Sequence, residues 1–181
     1  MTTTLQETEL RYPVGKFDWD APIDEAEFPI LIAAIAKAPG ALRAAVAGLS
    51  RDQLETRYRP GGWTVKQVVH HVPDSHLNAY TRFKLALTEH EPTIKPYDEA
   101  AWAELSDSRE VPIEVSLALL DALHLRWVAL LRSMGTADFN RTLRHPEHGR
   151  VLTLKQMLGL YAWHSRHHVA HITSLRKREG W

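Results

Sequence analysis

Apolar residues recur at intervals of three and four along four long stretches of the chain, which is the spacing of amphipathic helices. These predicted helices cover residues 24–47, 64–89, 113–134 and 153–178. Two of them begin with a capping box, a Thr N-cap followed three residues later by Gln: Thr64-Val-Lys-Gln67 and Thr153-Leu-Lys-Gln156. Gly135 is predicted to cap the end of the third helix. Four long amphipathic helices predict an all-α fold, a four-helix bundle.

The segments between these helices are less regular. Residues 1–22 are predicted to form an extended arm that wraps the domain. Short helical segments are predicted at 50–53 and 98–105, and a small hairpin or irregular loop at 141–152. Within the first long helix, Pro39 removes a backbone donor and clashes with the preceding turn, which predicts a kink or two shorter helices.

Composition narrows the possible functions. The chain has 181 residues, enough for one domain with a proper core, which we place at residues 1–181. Lys plus Arg and Asp plus Glu number 22 each, so the net charge gives no reason to expect nucleic acid or an anionic membrane as a partner. The sequence contains no cysteine, so any metal must be held by imidazole and oxygen ligands.

The sequence also predicts where the protein is found. Its N-terminus lacks the basic and apolar regions of a secretory signal. Its longest apolar run, residues 29–36, is much shorter than the ~20 residues of a membrane-spanning helix. We therefore expect a cytoplasmic protein that does not enter a membrane.

The last helix contains an unusual concentration of histidine. Four of the eleven histidines lie within eight residues, at His164, His167, His168 and His171. Residues four apart on a helix are neighbours, so His164 and His168 can direct their imidazoles to one point on the buried side. A catalytic metal site usually has three protein ligands and an open position. The pair therefore predicts part of a metal site whose third ligand lies on another helix.

The second helix supplies the candidates for that third ligand. Periodicity places His71 and His76 near its buried side about equally well, and His70 more towards its flank. A single buried histidine is more often a hydrogen-bonded core residue than a ligand. Burying several imidazoles without partners costs about 1–3 kcal/mol each, however, and one metal ion would satisfy them together. We predict that three further histidines lie on the surface and have no role in the site: His90, His145 and His148.

Several motifs along nearly the whole chain carry a family resemblance: Tyr12-Pro-Val-Gly-Lys16, Tyr58-Arg-Pro-Gly-Gly-Trp-Thr-Val-Lys-Gln-Val-Val-His-His71, Asp74-Ser-His-Leu-Asn-Ala-Tyr-Thr-Arg-Phe-Lys84, Pro96-Tyr-Asp-Glu99, Leu123-His-Leu-Arg-Trp127, Leu158-Gly-Leu-Tyr-Ala-Trp-His164 and His168-Val-Ala-His171-Ile. On these residues the chain resembles the DinB/YfiT superfamily of metal-binding four-helix bundles. The resemblance is to the YfiT branch, whose members are described as metal-dependent hydrolases.

The resemblance implies a particular site and chemistry. The family's site combines a histidine of the second helix with an HxxxH pair of the last, which corresponds here to His71, His164 and His168. It implies one divalent metal per chain, zinc or nickel, and a homodimer. It also implies hydrolysis of a small substrate, or S-transfer of a small thiol such as bacillithiol to an electrophile. This chain departs from the family at Pro73, where relatives usually have alanine, and the proline predicts a bend after His71.

Other polar residues are candidates for catalysis or substrate contact. Asp74, Ser75 and Asn78 follow His71 along a similar flank, and the remaining candidates are Arg82, His167 and His171. The sequence singles out no carboxylate as a general base. The alternative function is a non-catalytic metal-binding or dimerisation module. A fourth protein ligand, such as His76 or His171, would favour that module, and an open cleft above the metal would favour the enzyme.

Overall fold

The computed structural model describes residues 2–147 and 149–181. Within them the elements in chain order are α1 (Thr2–Arg11), α2 (Phe28–Val46), α3 (Arg51–Leu54), α4 (Val65–Thr88), α5 (Glu99–Trp102), α6 (Ser106–Glu110), α7 (Ile113–Ser133), α8 (Thr136–Phe139), β1 (Thr142–His145), β2 (Arg150–Thr153) and α9 (Leu154–Glu179). A single 3₁₀ turn, Glu25–Glu27, leads into α2.

The four long helices α2, α4, α7 and α9 form a bundle, which confirms the predicted all-α fold. Helix α2 packs against α7 and α9, and α4 packs against the same two helices. The consecutive long helices α2 and α4 are therefore diagonal to each other, as are α7 and α9. This arrangement makes α4 and α9, the two histidine-rich helices, direct neighbours.

The predicted capping boxes determine where the two histidine-rich helices begin. At the start of α4, Thr64 Oγ1 accepts from the backbone N–H of Gln67 at 3.1 Å, and Gln67 Oε1 accepts from the N–H of Thr64 at 3.0 Å. Thr153 and Gln156 make the same reciprocal pair at the start of α9. Each box satisfies backbone donors that the first helical turn leaves free.

A layer of histidines divides the bundle core into two apolar halves. One half is built around Phe83, Trp127 and Met157, and the other around Val68, Leu120 and Ile172. Five histidines lie between these halves along the helices: His71, His76, His124 and His168, which are buried, and His164, which is half-buried. The layer contains the predicted metal ligands, the alternative candidate His76, and His124, for which the sequence predicted no role in the site.

The structure corrects two expectations about irregular segments. The predicted extended arm is helical over Thr2–Arg11, because that stretch contains neither proline nor glycine, and it ends just before Pro13. Only the segment after it, up to the 3₁₀ turn, is irregular. Gly135 does not cap α7; it precedes α8 with an extended backbone, φ −95°, and Met134 ends α7 instead.

Both helix-interior prolines are accommodated without a break. Helix α2 continues through Pro39, so the prediction of two shorter helices is wrong, and α4 continues through Pro73 past His71. Proline leaves one carbonyl of the preceding turn without its helical donor. At Pro39 this carbonyl belongs to Ile35, and it accepts a hydrogen bond from a side chain instead, as described below.

The shorter connections agree more closely with the sequence. Ser50 caps α3 as its spacing indicates, and the hairpin forms, with β1 antiparallel to β2 and Thr142 paired with Thr153. The short helix expected at 98–105 is α5, which ends earlier, at Trp102, and a further short helix, α6, follows at Ser106–Glu110. All of these short elements pack against α4, which contacts α3, α5, α6 and β1.

One helical stretch, Glu25–Val46, is long and apolar enough by composition to cross a membrane. The core helices of bundles that are not in a membrane can have the same length and apolar composition. In this protein its residues Phe28, Ile32, Ile35 and Leu42 are buried against the other helices. The stretch is therefore accounted for by core packing, and the predicted cellular location stays a prediction.

Candidate metal centre

His71 of α4 comes together with His164 and His168 of α9. One ring nitrogen from each lies within 4.8 Å of those of the other two. The ring centroids are 5.4 Å apart for His71 and His164, 4.8 Å for His71 and His168, and 4.4 Å for His164 and His168. Zinc–imidazole bonds measure about 2.0–2.1 Å, so two nitrogens on one ion lie at most about 4 Å apart, and the three rings are grouped close to that separation.

Burial keeps these imidazoles neutral. It lowers the pKa of His71 to about 3, with a smaller contribution from His171. Burial also holds the pKa of His164 and His168 well below the usual range, and the neighbouring histidines lower both further. Because a metal binds the unprotonated ring, all three residues are in their ligand form at neutral pH.

The hydrogen bonding of the cluster fits a metal ion. Neither His71 nor His168 has a hydrogen-bond partner among the described residues, and Nδ1 of His168 is buried. Leaving such nitrogens buried and unpaired is costly, and a divalent cation would satisfy the cluster at once. Three imidazoles suit zinc, nickel, copper or iron, so the cluster supports a divalent metal without selecting one.

The other two histidines of α4 have different partners. Nε2 of His76 lies 3.1 Å from Nδ1 of His164, and its Nδ1 lies 2.7 Å from Nε2 of His124. His70, expected on the flank, is buried and bonds Ser116 Oγ at 2.7 Å and the carbonyl of Val111 at 3.2 Å. Of the three candidates on this helix, only His71 joins the cluster.

The cluster lines a cavity of about 750 Å³. This volume is in the range of small-molecule sites, about 300–1,000 Å³. The segment after α1 forms one wall, where Tyr12, Lys16 and Phe17 line the cavity. Two hydrogen bonds attach this wall to α9: Trp163 Nε1 donates to the carbonyl of Gly15 at 3.1 Å, and His171 Nε2 donates to that of Arg11 at 3.1 Å.

The predicted catalytic candidates divide into two groups. Four line the cavity: Ser75, Arg82, His167 and His171. Asp74 and Asn78 do not line it, and Asn78 Nδ2 donates to the carbonyl of Asp74 at 2.9 Å. Burial, with a smaller contribution from Asp107, raises the pKa of Asp74 to about 6, but this carboxyl lies away from the metal cluster's cavity.

The sequence missed several residues of the cavity wall. Glu99 places a carboxyl there, and burial, Glu147 and Asp98 raise its pKa. No periodicity could have indicated Glu99, since it lies in the short helix α5. Tyr97 and Tyr161 also line the cavity. Among the described residues, this lining therefore includes a carboxyl where the sequence indicated none.

The three histidines expected on the surface have different outcomes. His90 is exposed. His145 is buried and lines the cavity, so its prediction as a surface residue is wrong. In strand β1 alternate residues face inwards, and Leu143 and His145 are the two buried ones. His148 lies outside the described residues.

The chain belongs to the DinB superfamily, whose family model matches residues 34–172. Relatives in Bacillus cereus strain B4264 and Bacillus thuringiensis subsp. konkukian strain 97-27 are each 56% identical, over 96% of this chain and 99% of theirs. Both are named "Putative metal-dependent hydrolase".

A solved structure matches equally fully. It is YfiT from Bacillus subtilis, described as "a probable metal-dependent hydrolase with an unusual four-helix bundle topology". It is 49% identical, with a TM-score of 0.93 over 96% of this chain and 99% of that one. The predicted family is thereby confirmed. The three-histidine cluster and the names of the relatives support a metal-dependent hydrolase at the level of class.

Proposed function

We propose that this protein is a metal-dependent enzyme that acts on a small electrophile, either as a hydrolase or as an S-transferase of a low-molecular-weight thiol. The observation that carries the proposal is the convergence of three neutral imidazoles on an open cavity. Among the described residues no fourth ligand completes the cluster, because His76 and His171 are hydrogen-bonded elsewhere. An open coordination position distinguishes catalytic from structural sites.

We expect one divalent metal per chain, zinc or nickel. When bound, such a cation acts as a Lewis acid that lowers the pKa of a coordinated water or thiol and polarises a substrate oxygen. Because the three imidazole ligands are neutral, they do not reduce the positive charge of the cation. The same site thus serves hydrolysis and thiol transfer, and the choice depends on what the cavity admits.

Hydroxyl groups adjoin the metal cluster. Ser75 Oγ lies 3.3 Å from Nε2 of His164, and Ser75 is also close to the side chains of Tyr97 and Tyr161. Burial, above all, raises the pKa of both tyrosines, so they remain protonated donors across the physiological range. We propose that they orient a substrate oxygen next to the cation.

Arg82 favours a substrate with an anionic group. This side chain is only 7% exposed, lines the cavity close to Tyr161, and donates to the carbonyl of Lys95 at 3.3 Å. No carboxylate among the described residues lies within 4 Å of its guanidinium. A buried charge normally has a counter-charge, and we propose that a carboxylate or phosphate of the substrate provides it.

Arg82→Met is expected to raise KM for an anionic substrate roughly 10- to 100-fold. This change corresponds to the free energy of a hydrogen bond to a charged group. Arg82→Lys keeps the charge and should recover part of the loss. The measurement is steady-state kinetics of the metal-loaded variants with matched anionic and neutral substrates. Equal effects on both substrates would contradict the assignment of Arg82 to an anionic group.

Loading with zinc or nickel, followed by assays with and without thiols, tests the proposed function. Activated esters report hydrolysis, and an aryl halide or epoxide together with a thiol reports S-transfer. Thiol-independent turnover supports the hydrolase, and thiol-dependent thioether formation supports the transferase. One bound metal per chain without turnover on a broad panel would favour the non-catalytic module instead.

We also propose that the protein is a homodimer, supported by an apolar stripe on the outer face of α7. Val115, Leu119 and Leu125 are 57%, 45% and 77% exposed, and Ala118, Ala122 and Ala129 are exposed beside them. The spacing of three and four residues along this stripe is that of a helix-packing seam. A second copy of the same stripe would cover it.

Leu125→Glu is expected to convert the dimer into a monomer of 20.6 kDa by placing a charge at the most exposed apolar position of this stripe. Sedimentation velocity measures the change. Val151→Glu is the matched control, because Val151 is an exposed apolar residue, 43% accessible, on the hairpin. A monomeric parent protein, or a dimer unaffected by Leu125→Glu, would refute this interface.

A further inference from the structure

A chain of hydrogen bonds crosses all four long helices and ends at the metal cluster. It begins at the carbonyl of Ile35 in α2, to which Nδ1 of His124 in α7 bonds at 2.9 Å. Nε2 of His124 lies 2.7 Å from Nδ1 of His76 in α4. Nε2 of His76 lies 3.1 Å from Nδ1 of His164 in α9.

Pro39 explains why a carbonyl is available at the start of this chain. In an uninterrupted helix the carbonyl of Ile35 would accept from the N–H of residue 39, but proline has no N–H. Ile35 is fully buried, so this carbonyl would otherwise lack a partner. The ring of His124 provides one.

The direction of every bond follows from that carbonyl, because a carbonyl oxygen can only accept. Nδ1 of His124 must therefore carry its proton, which leaves Nε2 of the neutral ring as an acceptor. Nδ1 of His76 then donates to it, and Nε2 of His76 becomes an acceptor in turn. Nδ1 of His164 donates to His76, and Nε2 of His164 is left unprotonated.

All three rings are in surroundings that favour the neutral form. The three rings pack against one another and against Trp127 and Tyr161, and His76 has no exposed surface. Burial lowers the pKa of His124 to about 4 and that of His76 well below its usual range. Ser75 Oγ, at 3.3 Å, is placed to donate to Nε2 of His164, as expected for an acceptor.

We propose that His124 and His76 are positioning residues that hold His164 in the tautomer whose Nε2 binds the metal. The ring is thereby preorganised on one side by a hydrogen-bonded support that spans the bundle. Neither His71 nor His168 has such a support among the described residues. Partners of this kind, which orient a metal-binding histidine, typically contribute 10- to 100-fold to metal affinity.

Nitrogen NMR of the metal-free protein tests the tautomer directly. With ¹⁵N-labelled histidine, long-range ¹H–¹⁵N spectra distinguish a protonated Nδ1 from a protonated Nε2. We expect His164, His76 and His124 each to carry the proton on Nδ1. A proton on Nε2 of His164 in the wild-type protein would overturn the proposal, and this result does not depend on whether any variant folds.

Zinc affinity, measured by competition with a chromophoric chelator, tests the consequence. His76→Phe preserves a ring but removes the acceptor, and it should weaken zinc binding about 10- to 100-fold. His76→Gln retains an acceptor and a donor and should bind zinc several-fold more tightly than His76→Phe. His70→Phe is the matched control, since His70 is a buried histidine of the same helix with separate partners.

The outcomes separate this proposal from the metal site itself. Unchanged zinc affinity in a folded His76→Phe variant, with zinc bound by the wild type, would overturn the positioning role alone. Failure of the wild type to bind zinc would overturn the metal site and the positioning role together. A loss in His76→Phe that His70→Phe reproduces would attribute the effect to general destabilisation and overturn the proposal.

Discussion

Replacing His164 or His168 by alanine is expected to reduce bound metal from about one ion per chain to a trace. Each substitution removes one of three ligands whose donor atoms lie within 4.8 Å of one another, and the neighbouring His76 and His171 are already hydrogen-bonded to other groups. The loss should exceed the roughly 10- to 100-fold effect of removing a supporting residue. Elemental analysis of tag-free protein after incubation with zinc or nickel measures it, and His71→Ala should behave in the same way.

The matched control for these variants is His90→Ala. His90 is exposed, whereas His145, which the sequence also places on the surface, is buried in the cavity wall and is a poor control. His90→Ala should retain the full metal content. Equal metal in His90→Ala, His164→Ala and His168→Ala would show that the cluster is not the binding site.

The metal-free protein is expected to lose stability steeply as the pH falls below about 6. Burial, chiefly, lowers the pKa of His71 and His167 to about 3 and of His124 and His171 to about 4. Between these values and 6.5, the unfolded chain binds protons that the folded protein does not. The free energy of unfolding therefore falls with decreasing pH, by about 1.4 kcal/mol per pH unit for each such residue.

The four histidines together contribute up to about 5 kcal/mol per pH unit between pH 6 and pH 4. Typical domains are stable by only about 5–15 kcal/mol, so we expect unfolding near pH 5. Asp74, whose pKa is raised to about 6, acts in the opposite direction as one group and reduces the slope without reversing it. Bound metal should shift the acid transition to lower pH, because it binds the folded state.

Urea unfolding at pH 7, 6 and 5 in the presence of a chelator measures this dependence. His167→Gln provides the internal comparison, since it removes one buried imidazole and should reduce the slope by about 1.4 kcal/mol per pH unit. A free energy of unfolding that is constant from pH 7 to pH 5 would contradict the assignment of these histidines as buried and neutral.

Local sequence signals predicted much of the fold and part of the site. The capping boxes at Thr64 and Thr153 gave the starts of α4 and α9, and the spacing of His164 and His168 placed both on one buried face. These signals succeed because capping and helical periodicity depend on residues within one or two turns of each other.

Such local signals do not distinguish His71 from His76 as the third ligand. Both are buried, 7% and 0% exposed, so the division into buried and exposed faces does not separate them. Their contacts differ because His71 packs against Trp63 and the histidines of α9, whereas His76 bridges α9 and α7. Periodicity describes one helix and contains no information on which neighbour each part of its buried face contacts.

The amino-acid sequence alone determines the four amphipathic helices, the residues at which two of them begin, and the histidine pair that can bind one metal. It can do so because each of these features depends on residues that are neighbours along the chain. The packing of α2, α4, α7 and α9 specifies the rest: the third histidine, the cavity with Arg82 and Glu99, and the bonds from Ile35 through His124 and His76 to His164. The bond between His124 and the carbonyl of Ile35, for example, joins residues 89 positions apart. Their contacts depend on the relative rotation and order of the helices, which arise only when the core is packed.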